Sequence, residues 1–176
     1  MPKRLLKYKN YDVHSITTIT SDGQKNANIA TWVMQTAMGG THLVVALYKT
    51  DYTIELVRES GILNVNLLAT DQTSLIRKLG QQSGRPIQGG PIQGGPGLEG
   101  KRKQTDKFRT LPYALDERGC PYLTEAIGYA QCQVLHTTDS GDHELFVCAV
   151  LKQVVLNPDK AVMTNDFIKE KKLVRG

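Results

Sequence analysis

The sequence predicts a mainly β protein, a mostly antiparallel β-barrel with short helices, and three observations lead there. Strand-length runs of apolar and β-branched residues fill the first third of the chain and return after residue 120. The segments with helical periodicity are short and are inserted between strands. No regular βαβ alternation occurs, which disfavours a doubly wound parallel sheet.

Residues 13–20, Val-His-Ser-Ile-Thr-Thr-Ile-Thr, read as a strand that stops at the turn signal Ser21-Asp22-Gly23. Residues 28–34 and 43–48 are two more apolar strand-length runs, separated by Gly39-Gly40. Residues 52–60 change period, and Ile54, Leu56 and Val57 with the closing Ser60-Gly61 fit a short amphipathic helix with a glycine stop. Strand character returns at 62–68. Thr70 and Asp71 are candidate caps for a second short helix over 72–79, ending at Gly80. Beyond residue 120, a strand ends in Gln131-Cys132-Gln133-Val134-Leu135, a turn covers 138–142, and a long strand covers 143–156. The tail from Asn165 is charged and has helical character.

Between residues 83 and 107 the composition shifts. The pentapeptide Pro-Ile-Gln-Gly-Gly occurs at 86–90 and again at 91–95, followed by Pro96-Gly97 and the basic Lys101-Arg102-Lys103. Two short copies do not make a repeat architecture. Glycine this dense reads as a mobile surface loop, with a lid as the minority reading. The chain is thus one domain over 1–176 with a Gly/Pro-rich insertion at 86–105.

Composition excludes several classes. With 40% hydrophobic and 22% charged residues the chain is an ordinary globular one. Its longest apolar run, Leu145 to Leu151, is far short of the roughly 20 residues of a membrane helix. The start, Met-Pro-Lys-Arg, lacks the pattern of a secretory signal, so the expectation is a cytoplasmic protein with no membrane association. Cys120, Cys132 and Cys148 have no metal-binding spacing and read as reduced, packed thiols, with Cys120 before Pro121 as the candidate for exposure. The net charge of +5 sits at the ends: residues 1–11 carry four Lys or Arg and no acid, and 160–176 carry five against two acids. Such tails read as solvated ends, and nucleic-acid binding is disfavoured.

Common catalytic signatures, such as Gly-x-Ser-x-Gly, His-Glu-x-x-His and a strand-linked Gly-x-Gly-x-x-Gly, are absent. What remains is a scatter of small polar and basic residues at strand ends, namely Asn28, Thr31, Lys49, Thr53, Asn66, Ser83 and Arg85. Phosphate recognition uses such groups, because hydroxyls and N–H donors fix oxygens while Lys and Arg balance charge. Plainer readings stand beside this one: Lys49 and Thr53 as a strand exit and a helix cap, Trp32 as core, His143 as a polar residue after a turn.

The succession Ser-Ile-Thr-Thr-Ile-Thr-Ser-Asp-Gly, Asn-Ala-Asn-Ile-Ala-Thr-Trp-Val-Met-Gln and Leu-Val-Val-Ala-Leu-Tyr-Lys-Thr-Asp-Tyr-Thr resembles the flavin reductase-like family of FMN-binding split barrels. Ser60 to Leu68, Ser83-Gly84-Arg85, Asp106-Lys107-Phe108 and Gly141-Asp142-His143 continue it in order, over about residues 10–156. The resemblance implies a six-stranded antiparallel split barrel that forms a homodimer. It also implies a flavin, FMN with FAD as the alternative, reduced by NADH or NADPH, and a downstream electron acceptor.

On this pattern Asn28, Ile29, Ala30, Thr31 and Trp32 lie along the flavin ring, and Lys49 to Thr53 approach its phosphate. Asn66, Leu67, Ser83, Gly84, Arg85 and Lys107 complete the pocket, and His143 positions the nicotinamide; no metal is implied. The sequence departs from the pattern twice. Gly39-Gly40-Thr41-His42 stands where the family has consecutive prolines, and residues 86–105 separate Ser-Gly-Arg from Asp-Lys-Phe. Two other functions remain open: an FMN electron carrier serving a protein partner, and a binding module whose basic tails engage an acidic partner.

Overall fold

A computed structural model of the chain describes residues 4–85 and 106–174, so the pentapeptide repeat and the loop read at 86–105 lie outside the described residues. Nine strands are present among them: β1 (His14–Ile19), β2 (Lys25–Ala30), β3 (Val33–Gln35), β4 (His42–Tyr48), β5 (Ile62–Leu67), β6 (Tyr113–Leu115), β7 (Pro121–Leu123), β8 (Gly128–Ser140) and β9 (His143–Val155). The helices are α1 (Tyr52–Ser60), α2 (Ser74–Gly80) and α3 (Asn165–Glu170), with a 3-10 turn over Leu5–Tyr8 and another over Lys107–Thr110.

Seven strands form one antiparallel sheet in the order β2-β1-β5-β8-β9-β4-β3, and β6 and β7 form a separate hairpin. β2 and β3 are the two edges of that sheet, yet only Thr31 and Trp32 separate them in sequence. A two-residue link between opposite edges forces the sheet to curl back on itself, which makes it a half-barrel. The seventh strand comes from the same link: the single run expected over 28–34 breaks at Thr31-Trp32, and its halves pair with β1 on one side and β4 on the other.

Two cores follow from strand alternation, which sends neighbouring side chains to opposite faces. Inside the curl, Ile16, Val45, Leu47, Leu63 and Phe146 pack with Ile54 and Val57 of α1. On the outer face, Val13, Ala27 and Leu68 pack with Leu75, Ile76 and Leu79 of α2, together with Phe108, Leu123 and Ile168. α1 ends as its sequence predicts: Gly61 takes φ 68°, a left-handed conformation, and its N–H reaches Val57 O.

Two boundaries and the exposure of one cysteine differ from the sequence reading. α2 starts at Ser74, because Gln72 is drawn into the preceding turn, where its Oε1 accepts the Ala69 N–H. β8 runs on to Ser140, so the turn shrinks to Gly141-Asp142, with Gly141 at φ 69°. Cys120 is fully buried, since its N–H bonds to Asp116 Oδ1 and draws it under the sheet. All three cysteines are unpaired and buried. No helix among the described residues is long and apolar enough to cross a membrane.

Candidate functional site

Asn26 and Asn28 lie two apart on β2 and so share a face, the one that looks toward α1. Asn26 Nδ2 donates to Thr53 Oγ1 at 3.0 Å, and Asn28 Nδ2 donates to Asp51 Oδ2 at 3.2 Å. These bonds clamp β2 to the start of α1. Asp51 occupies the cap position but makes no side-chain cap bond; its carbonyl takes the Ile54 N–H at 3.3 Å, which leaves the Tyr52 and Thr53 N–H groups at the positive end of α1 beside the cleft that Thr50 to Thr53 line.

The opposite wall is the end of α2 and the residues after it. Gly84 passes so close to β2 that a Cβ there would lie 2.3 Å from Asn26 Oδ1, so only glycine fits. Ser83 Oγ accepts the Arg85 N–H at 3.2 Å and shapes the turn. Beneath both walls sits Lys107, whose buried Nζ donates to Ala27 O at 2.7 Å and Leu79 O at 3.0 Å, tying β2 to the end of α2. Burial pushes its pKa down to about 8, while the Asp51 carboxylate pulls the other way. The result is a cleft of about 220 Å³ at the seam of the two cores. Asn28 Oδ1, on its wall, is buried and has no hydrogen-bond partner.

A second group of side chains forms where β4 leaves the sheet. Tyr48 pairs in register with His143, the first residue of β9. The His143 ring lies 4.8 Å from that of Trp32 and 5.2 Å from that of Tyr48, and its Nδ1 is 2.7 Å from Asp142 Oδ1. Trp32 is 51% exposed, so it is a surface residue rather than core. From Tyr48 the chain runs through Lys49 and Thr50 directly into α1, so one short connection joins this aromatic group to the cleft.

Of the residues singled out in the sequence, Asn28, Ile29, Thr53, Ser83, Gly84 and Lys107 line the one cleft, with Lys107 meeting Ser83 and Gly84 despite the insertion between them. Ala30 belongs to the inner core, and Thr31 and Trp32 line a neighbouring cleft. Lys49 is held by Asp139 of β8, and Arg85 forks onto Glu55 at 2.8 and 2.5 Å above the Tyr52 ring. Asn66 is elsewhere. Ser15 and Asn66 pair across β1 and β5, whereas Asn28 pairs with Ile16, the next residue along β1, so Asn66 points from the opposite face of the sheet. There its Nδ2 donates to Ser15 O and Thr17 Oγ1, and its Oδ1 accepts the Leu123 N–H. Leu67 faces inward, but at the far mouth of the curl beside His14.

Thr50, Asp51 and Tyr52, within the stretch expected at the phosphate, also line the cleft, as does Asn26, which was given no role. The two-residue spacing of Asn26 and Asn28, with Asp51 just ahead of a helical period, is the signal that marks them. Tyr48 carries no such local signal, because its neighbour His143 is set by register across 95 positions of chain. Among the described residues no cluster of three or more His, Cys, Asp or Glu is placed to hold a metal ion.

Comparison with known proteins agrees with this architecture. The chain is 27% identical to a protein of Moorella thermoacetica named high molecular weight rubredoxin, over 89% of its own length and 61% of the relative's. It is 22% identical to the FMN reductase (NADH) RutF of Agrobacterium fabrum, over 92% of its length and 84% of the relative's. The structure of a Streptomyces globisporus NADH:FAD oxidoreductase in complex with NAD and FAD fragments superposes with a TM-score of 0.71 at 16% identity, covering 89% of this chain and 81% of that one. The family model for the flavin reductase like domain matches residues 10–167, and the chain belongs to that family.

Proposed function

We propose that the protein is a flavin reductase that binds FMN and transfers reducing equivalents from NADH or NADPH to flavin. The observation that carries this reading is the cleft at the start of α1, where helix N–H groups, Ser83 and the Lys107 ammonium converge beside the buried, unpartnered Asn28 Oδ1. Such donors suit a phosphate, and the orphan amide oxygen suits a ligand hydroxyl or ring N–H. Flavin, when bound, supplies the redox chemistry by accepting a hydride and passing the electrons on.

The chain's own residues bind and orient. Lys107 and the first turn of α1 balance the phosphate charge, and the Asn26–Thr53 and Asn28–Asp51 bonds fix the wall along which the ring lies. His143, braced by Asp142, Trp32 and Tyr48, offers a surface that positions the nicotinamide and excludes water. Family membership, the names of the Agrobacterium and Streptomyces proteins and this geometry support the reading together. The Streptomyces name makes FAD the alternative flavin.

Homodimerisation and cytoplasmic residence belong to the same proposal. Met34, Leu135, Leu151 and Val155 are exposed apolar side chains on β3, β8 and β9, which supports a self-association face. The three buried, unpaired thiols support a reducing compartment. A monomer mass in light scattering overturns the dimer.

The experiment is a visible spectrum of the protein after adding FMN and desalting, followed by NADH and then NADPH without oxygen. A retained flavin band that bleaches with either nucleotide is the expected result. A retained band that does not bleach favours the second reading, an electron carrier for a protein partner, which the rubredoxin name of the Moorella protein supports. No retained flavin and no turnover with excess FMN overturns both.

A further inference from the structure

The two basic ends of the chain, separate in sequence, meet in space. The Asn165 N–H donates to Tyr11 O at 2.7 Å, the Asp166 N–H donates to Asn10 Oδ1 at 2.9 Å, and Asp12 bridges to Thr164, so the start of α3 is laced to the N-terminal segment. Between them opens a cleft of about 540 Å³, within the usual range for small-molecule sites. Lys7 and Lys9 stand on one side, Asn165 and Lys169 on the other, and Tyr11 and the half-exposed Trp32 supply aromatic surface. No acid is found among the described residues lining it.

Three ammonium groups brought to one cleft repel each other, which a polyanionic ligand would relieve. Lys7 and Lys9 are in no ion pair among the described residues, and Lys169 has only the loose 3.4 Å contact to Asp166 in its own helix. The position of the cleft gives the ligand its other end. Trp32 lines it and also lies 4.8 Å from the His143 ring, so the cleft begins where the proposed nicotinamide position ends. Thr31, which shares this cleft, is three residues beyond Asn28, about 10 Å of extended chain from the phosphate cleft.

Resting on the reductase reading above, we infer that this cleft holds the phosphorylated adenosine end of the nicotinamide nucleotide, and that its three lysines select NADPH over NADH through the extra 2′-phosphate. Lysine serves phosphate as a point charge, and a purine has a face to stack on Trp32 or Tyr11. A site built for NADH would instead place a carboxylate at the ribose hydroxyls. Lys7, Lys9 and Lys169, from the two basic ends, therefore form a recognition surface in this fold.

The test uses FMN-loaded protein, the double variant Lys7→Gln/Lys9→Gln and, on the other wall, Lys169→Gln. All three lysines are at the surface, and the lysine substitutions leave both cores intact. Calorimetric titration with adenosine 2′,5′-bisphosphate probes the cleft without turnover, with 5′-AMP as the control. The expected result is binding of the bisphosphate in preference to 5′-AMP, weakened by salt and by about tenfold in the double variant, with several-fold loss in Lys169→Gln. The ratio of KM for NADPH to KM for NADH rises by a similar factor.

Equal binding of the bisphosphate and 5′-AMP, or an unmoved KM ratio, overturns the inference. A double variant that loses affinity for FAD but not for NADPH also overturns it, because the cleft then belongs to the adenosine half of the flavin. If neither nucleotide is oxidised but the bisphosphate binds with the expected lysine dependence, the reductase reading fails and the anionic adenosine site stands.

Discussion

Replacing Lys107 by Met removes an ammonium that donates to Ala27 O at 2.7 Å and Leu79 O at 3.0 Å in the wall of the proposed phosphate site. Each buried carbonyl left without a donor costs about 1–3 kcal/mol. The opposing gain is release of a charge that burial disfavours, shown by a pKa pushed down to about 8 from an ordinary 10.5. The balance is a loss of roughly 1–3 kcal/mol, and at roughly 2–4 °C per kcal/mol the melting temperature falls by about 2–12 °C.

The pH dependence of this residue separates stability from binding. Because folding lowers the Lys107 pKa, the folded state binds fewer protons than the unfolded state between about pH 8 and 10.5, and this group's contribution to stability rises across that window. Anion binding needs the charged form and falls through the same window. The phosphate itself is doubly ionised above about pH 7, with a second pKa of about 6. Only about a tenth of Lys107 is charged one unit above its pKa, so Kd for FMN weakens about tenfold between pH 7 and 9. Quenching of flavin fluorescence measures Kd at each pH. A flat wild-type profile, or a Lys107→Met profile that keeps the wild-type pH dependence, refutes the assignment.

Gly84→Ala places a methyl 2.3 Å from Asn26 Oδ1, so it loses about 1–3 kcal/mol in chemical denaturation and binds FMN several-fold more weakly. His143→Ala removes ring contacts to Trp32 and Tyr48, and the expected result is an increased KM for the nicotinamide nucleotide or slower flavin bleaching in rapid mixing, with FMN affinity little changed; unchanged steady-state kinetics rejects the role. Asn66→Ala leaves FMN affinity unchanged but strands the Leu123 N–H and Ser15 O, costing about 2–4 kcal/mol by denaturant titration. The native protein resists a thiol-reactive disulfide reagent at pH 8, because burial pushes Cys120 and Cys148 up to about 12 and Cys132 higher still; reaction before unfolding contradicts the packing.

Local chemistry made much of this protein legible in its sequence. β-branched runs, the Asp22-Gly23 turn and the Gly61 stop place β1, β4, β5, β9 and α1 to within a residue or two, because each is set by neighbours along the chain. The ordered motifs from Ser15 to His143 led to the flavin reductase family, to which the chain belongs. Tertiary structure decided which of the polar residues meet. Asn28 and Asn66 look alike in sequence, yet pairing across β1 sends one to the cleft and the other beneath the opposite face, since side chains alternate and register belongs to the sheet rather than to either strand. The split of residues 28–34 into two edge strands, the meeting of Tyr48 with His143 and the convergence of both basic termini on Trp32 have the same cause. Each depends on contacts between segments far apart in the chain, which no local propensity encodes.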